Sequence, residues 1–100
     1  MKVKITNTDK RFGAFPHFKY CVTPHRNRSE FFEFREWLWQ TYGPSKELRE
    51  WIDDLNKHSY AFYGPVTHHN QHWCWNNDTY NRRIFLCSDQ ELALLKLRFE

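Results

Sequence analysis

The chain has 100 residues, of which 40% are hydrophobic, 27% charged and 19% aromatic, with a formal net charge of +3. That length makes one domain with one core and one modest site, and leaves no room for a cleft between two domains. Three Gly and four Pro exclude a low-complexity chain, and nine Phe, five Tyr and five Trp at a mean hydropathy of −0.89 demand an aromatic core rather than an aliphatic one.

Val3 and Ile5 alternate with Lys2, Lys4 and Thr6, the period of a half-buried strand. A turn follows from Asn7 to Gly13. His17 through Thr23 forms a second strand ended by Pro24, with Phe18, Tyr20 and Val22 on one face. Ser29 then offers a helix N-cap, with Glu30 and Glu33 in the first turn where acids suit the helix dipole. Phe31, Phe34, Leu38 and Tyr42 follow at helical spacing with Trp37 alongside, and Gly43-Pro44 stops the helix. Ser45 caps a second helix over 45–57, whose Leu48, Trp51, Ile52 and Leu55 share one face. The very short connection makes the two helices neighbours.

Beyond His58 the pattern turns to strands: Tyr60 to Tyr63, His72 to Trp75, and Arg83 to Cys87, with Asn76-Asn77-Asp78 as a turn. Ser88-Asp89-Gln90-Glu91 is a capping box that opens a short helix. Leu95, Leu97 and Phe99 then alternate with Lys96 and Arg98, which predicts a terminal strand. The competing reading is one helix from 89 to 99, because Glu91 through Lys96 are good helix formers. The expected fold is α+β: a small, mainly antiparallel sheet, a helix pair packed on one face, and a short C-terminal helix before a last strand. Its expected core holds Val3, Ile5, Tyr20, Val22, Phe34, Leu38, Leu48, Trp51, Ile52, Leu55, Ile84, Leu86 and Leu97.

The tail from Arg83-Ile84-Phe85-Leu86-Cys87 through Lys96-Leu97-Arg98-Phe99, preceded by a Trp-rich Asn-Asn-Asp stretch, resembles the closing block of small uncharacterised accessory proteins of tailed bacteriophages. The resemblance covers the last quarter of the chain. It implies a viral protein that works in the host cytoplasm by binding a host or phage macromolecule, and it brings no catalytic residue.

Charge is uneven along the chain. Residues 1–28 carry seven bases and one acid, residues 29–58 seven acids and four bases, and residues 59–100 four of each. A basic end interleaved with aromatics is the footprint of a nucleic-acid face, and Lys10, Arg11, Lys19, Arg26 and Arg28 are its candidates. The stretch Arg11-Phe12-Gly13-Ala14-Phe15 superficially matches an RNA-recognition strand, but Pro16 stands where that strand needs a backbone donor. The second candidate is a protein interface. Phe32 and Trp39, seven residues apart, fall on a different helix face from Phe31, Phe34 and Leu38, and an exposed aromatic pair is what an interface hot spot looks like.

The third is a structural zinc site from Cys21, His25, His72 and Cys74, although their spacing is that of no zinc finger or ribbon. The phosphate-binding, nucleophile-elbow and metalloprotease motifs are all missing, so the expectation leans away from an enzyme. Met1 to Thr6 has no apolar signal-peptide core, and no apolar run reaches the ~20 residues that span a bilayer. Three cysteines fit free thiols in a reducing cytoplasm.

Overall fold

Four strands form one antiparallel sheet. They are seen in a computed structural model that describes residues 3–9, 15, 17–24, 28–59, 70–78 and 81–99, with side chains at all of these except 28, 54–59, 78 and 81. The elements are β1 (Val3–Asn7), β2 (Tyr20–Pro24), α1 (Arg28–Tyr42), α2 (Leu48–Ser59), β3 (Trp73–Asp78), β4 (Asn81–Leu86) and α3 (Asp89–Phe99). The spatial order of the strands is β1-β2-β4-β3. Pro24 lies at the end of β2, opposite Val3, where its missing N–H interrupts no ladder. Asn76, Asn77 and Asp78 continue β3 opposite Arg83, Arg82 and Asn81 instead of turning. The strand expected at 60–63 lies outside the described residues.

Register sorts the side chains into two faces. Val22, Ile84, Leu86 and Trp73 point to one face and pack with Phe31, Phe34 and Leu38 of α1 and Leu95 of α3. Cys21, Phe85 and Cys74 point to the other and pack with Trp51 of α2 and with Phe18. The two helices expected to pair on one face therefore sit on opposite faces. The cause is the path of the 43–47 connection around the β3 edge. Glu47 forms a parallel bridge with Trp75, Trp75 N–H reaches Lys46 O at 3.5 Å, and Ser45 Oγ donates to Trp73 O at 2.6 Å. Ser45 is thus committed to the sheet edge. Glu47 O accepts the first helical bond of α2, from Trp51 N–H at 2.8 Å.

Asn70 fastens this crossing. Its Nδ2 lies 2.9, 3.1 and 3.2 Å from the carbonyl oxygens of Tyr42, Gly43 and Pro44, and its Oδ1 accepts His72 N–H at 2.8 Å. Its own carbonyl accepts Trp51 Nε1–H at 2.7 Å. Gly43 ends α1 with φ +93° and returns its N–H to Trp39 O at 3.0 Å, the left-handed helix stop expected of Gly-Pro.

The chain ends as a helix, so the expected last strand is replaced. Ser88 takes the expected N-cap position of α3, since its carbonyl accepts Leu92 N–H at 3.3 Å, and its hydroxyl donates to the Glu91 carboxylate, which is not the backbone bond of the expected capping box. From there Asp89 and Glu91 in the first turn and Lys96 and Arg98 in the last suit the dipole. Leu92, Leu95 and Phe99 share one helical face toward the core, while Leu97 is 76% exposed and leaves the expected core. Of the other expected core residues, Val22, Phe34, Leu38, Trp51, Ile84 and Leu86 are buried. Val3, Ile5, Tyr20, Leu48 and Ile52 pack at the margins, and the Leu55 side chain is outside the description.

Two measurements check this architecture. Leu95→Ala should cost ~2–5 kcal/mol in urea unfolding and Leu97→Ala under ~0.5 kcal/mol, where a terminal strand would make them alike. Asn70→Ala should cost ~1–3 kcal/mol, and Asn70→Asp more, because a carboxylate would face the carbonyls that the amide now serves.

Candidate functional site

Helix α1 has aromatics on three sides, and the sheet can bury one stripe. Phe31, Phe34 and Leu38 take that stripe. Glu33, Glu36 and Gln40 crown the helix in solvent. Phe32, Arg35 and Trp39 fall on the flank that overlooks β3. There they line a groove of about 310 Å³ together with Glu36. Trp39 is 41% exposed and its ring centroid lies 6.2 Å from that of Trp75. The structure thus brings Phe32 and Trp39 to one concave surface with Arg35, and places Trp75 against both Trp39 and Arg35; of the pair expected to be exposed, Phe32 is half-buried and packs edge to face on Phe31.

Arg35 is held in an unusual way. Its Cζ lies 4.7 Å from the Trp75 ring centroid and 5.9 Å from that of Phe32. Such contacts contribute ~0.5–2 kcal/mol. Among the described residues no carboxylate or carbonyl pairs with it. The opposite flank of α1 has a second groove, of about 480 Å³, with Trp37, Gln40, Arg98 and Phe99 in its wall. Its rings are occupied with one another: Phe99 contacts Trp37 at 6.0 Å and Phe34 at 4.6 Å, both edge to face.

The other candidates come apart. Of the five basic residues, Lys19 is exposed at the start of β2; Lys10, Arg11 and Arg26 lie outside the described residues, as does the Arg28 side chain. Of the four metal candidates, Cys21 and Cys74 are buried in the core of the α2 face, His72 is engaged on the α1 side, and His25 lies outside the description. Burial pushes the thiols of Cys21 and Cys74 up, the latter well above the ordinary value, and burial followed by the Glu91 charge pushes Cys87 up. Neutral thiols in an apolar layer are poor zinc ligands and poor nucleophiles. Among the described residues no three metal-binding side chains converge, and no helix is long and apolar enough to cross a membrane.

One polar cluster was not anticipated. His72 Nδ1–H donates to Glu91 Oε1 at 2.9 Å, Ser88 donates to Glu91 Oε2, and the His72 ring stacks on Tyr42 with centroids 4.7 Å apart. Glu91 is only 4% exposed. The capping box carries the signal for the Ser88–Glu91 half; nothing in the spacing of 72 and 91 points to the other half. The Tyr42 hydroxyl is buried with no hydrogen-bond partner among the described residues, and burial together with the Glu91 charge raises its pKa. No protein-family model, curated protein or solved structure matches this chain.

Burial pulls the Glu91 pKa upward, but the bonds from His72 and Ser88 outweigh it and hold the carboxyl below its ordinary value of 4.5. A depressed carboxyl contributes stability that is fully present above its unfolded value and fades as pH falls through the folded one. The wild type should therefore lose stability below about pH 4.5 more steeply than Glu91→Gln, in thermal melts taken from pH 7 to pH 3. At pH 7 the variant should cost ~1.5–3 kcal/mol, since the lost bonds are to a charged group. Parallel pH profiles would leave the carboxylate without this role.

Proposed function

We propose that this protein is a non-catalytic binding module that docks a partner protein on the α1–β3 flank. The observation that carries the reading is the exposed Trp39 in a groove shared with Phe32, Arg35 and Glu36. Trp and Arg are the residues enriched where interface energy concentrates. Among the described residues, burial raises the pKa of all three thiols, and His72 and Glu91 are tied together at the start of α3, which supports a non-catalytic reading. A nucleic-acid interface is the competing reading. It rests on Lys10, Arg11, Lys19, Arg26 and Arg28, of which the structure places only the Lys19 side chain. Glu33 and Glu36 crown α1 in solvent, so this flank is a poor rail for a phosphate backbone.

The resemblance of residues 83–99 to tailed-phage accessory proteins supports seeking the partner in a bacterial host extract. A captured protein, purified and titrated by calorimetry, should bind the wild type and lose ~30-fold or more in affinity to Trp39→Ala, the ~2 kcal/mol of a hot-spot residue. The thermal midpoint of the variant should stay near that of the wild type. Affinity should change little between 50 and 300 mM salt. Unchanged binding by Trp39→Ala overturns the reading. A steep fall with salt, with loss on Lys19→Glu, moves the function to the basic N-terminal third.

A further inference from the structure

The groove contains a guanidinium with no hydrogen-bond or ion-pair partner among the described residues. Arg35 lies between α1 and β3, partly buried, its guanidinium against Trp75 and within reach of the Phe32 face. A guanidinium has five N–H donors in one plane. A cation–π contact of this kind does not by itself supply those donors with acceptors. No hydrogen bond or ion pair to Arg35 exists among the described residues. Glu36 is its chain neighbour, but residues i and i+1 project from a helix 100° apart and do not face each other. Arg35 is partly buried, lies against Trp75 and stands beside an apolar cleft.

Those are the conditions under which an Arg reads a planar anion. Partial burial against Trp75 restricts the side chain, so less freedom is lost when a ligand arrives. The lowered local dielectric strengthens the two parallel N–H···O bonds that a carboxylate accepts. The cleft beside it is lined by Phe32 and Trp39 and has room for one aromatic or branched aliphatic side chain. We infer that Arg35 is the specificity-determining residue of the groove, and that the occupant is a protein segment presenting a carboxylate next to an apolar anchor. The anchor enters between Phe32 and Trp39, and the carboxylate lies in the plane of the guanidinium. This inference rests on the docking reading above and names the chemistry of its partner. A carboxylate fits better than a phosphate chain: Glu33 and Glu36 stand exposed along the same helix, and a polyanion running past Arg35 would have to cross them.

The test uses small probes and the full-length ¹⁵N-labelled protein at pH 7. N-acetyl-tryptophan and N-acetyl-tryptophanamide share a ring and differ in carboxylate against neutral amide. Each is titrated while the indole N–H signals of Trp39 and Trp75 are followed. The acid should bind about tenfold more tightly than the amide, the scale expected for hydrogen bonds to a charged group. Arg35→Gln should level the two probes, and Arg35→Lys should restore only part of the difference because a point charge lacks the fork. The thermal midpoints of both variants establish that they are folded. If acid and amide bind the wild type equally, the carboxylate inference falls while the docking groove stands. If neither probe shifts either indole, both fall. If a twelve-residue oligothymidylate shifts the same indoles at lower concentration than the acid, the anion read is phosphate and the inference is overturned.

Discussion

The side-chain amide of Asn70 is the constraint on which the arrangement depends. A helix leaves its last carbonyls without partners, and a left-handed glycine stop serves only part of them. Here Gly43 turns the chain and bonds Trp39 O, and Asn70 Nδ2 covers Tyr42 O, Gly43 O and Pro44 O. Trp73 Nε1–H adds a second donor to Gly43 O at 3.0 Å. The same Asn70 fixes the entry to β3 through His72 N–H and the position of α2 through Trp51 Nε1–H. One residue therefore joins the end of α1, the start of β3 and the packing of α2.

Once that joint is set, the connection can only run along the outer edge of β3, and its backbone and Ser45 satisfy part of that edge. An uncovered edge strand is an invitation to pair with another chain, and a connection lying along it removes the invitation. The same route carries α2 to the second face of the sheet. Both faces are then covered with apolar side chains: Trp51, Phe18 and Phe85 on one, Phe31, Phe34, Trp73 and Leu95 on the other. Covering two faces is how 100 residues with few aliphatics bury so many rings. It also places α1 across β4, β2 and β3, with Arg35 and Trp39 beside Trp75.

Local signals in the sequence translate into local structure with little loss. Gly43-Pro44 stops α1, Ser88 caps α3, and the alternation of Val3 with Ile5 makes an edge strand. Some local signals are overridden by the sheet, since Asn76-Asn77-Asp78 continues β3 instead of turning and Ser45 bonds Trp73 O instead of capping α2; the other failures are inferences that need distant partners. Alternation of Leu95, Leu97 and Phe99 fits a strand taken alone, yet every residue from Glu91 to Lys96 favours a helix and no sheet edge was free to accept a fifth strand beside β4, which already lies between β2 and β3. The two-residue offset of Leu95 and Leu97 then separates them by 200° around the helix, one in the core and one in water. A short connection between two helices likewise says nothing about a sheet edge lying between them. At the site, Phe32 and Trp39 were legible because seven residues make two turns. Arg35 and Trp75 were not, because only the β3 register puts Trp75 beneath α1.

Two partly enclosed charges in this small domain meet opposite fates, and the contrast separates what serves the fold from what is left over for a partner. Glu91 has both oxygens occupied, by His72 and by Ser88, and the net effect lowers its pKa despite burial. Its charge is consumed in joining α3 to β3. Arg35 lies against Trp75 and near Phe32, and among the described residues no hydrogen bond or ion pair takes its donors. A fold selected only for stability gains little from such an Arg, because an apolar residue of similar volume would pack on Trp75 without leaving donors unserved in a partly desolvated place. Retaining a guanidinium there is intelligible if the missing acceptor arrives from outside, and the cleft between Phe32 and Trp39 gives that acceptor an apolar neighbour to arrive with.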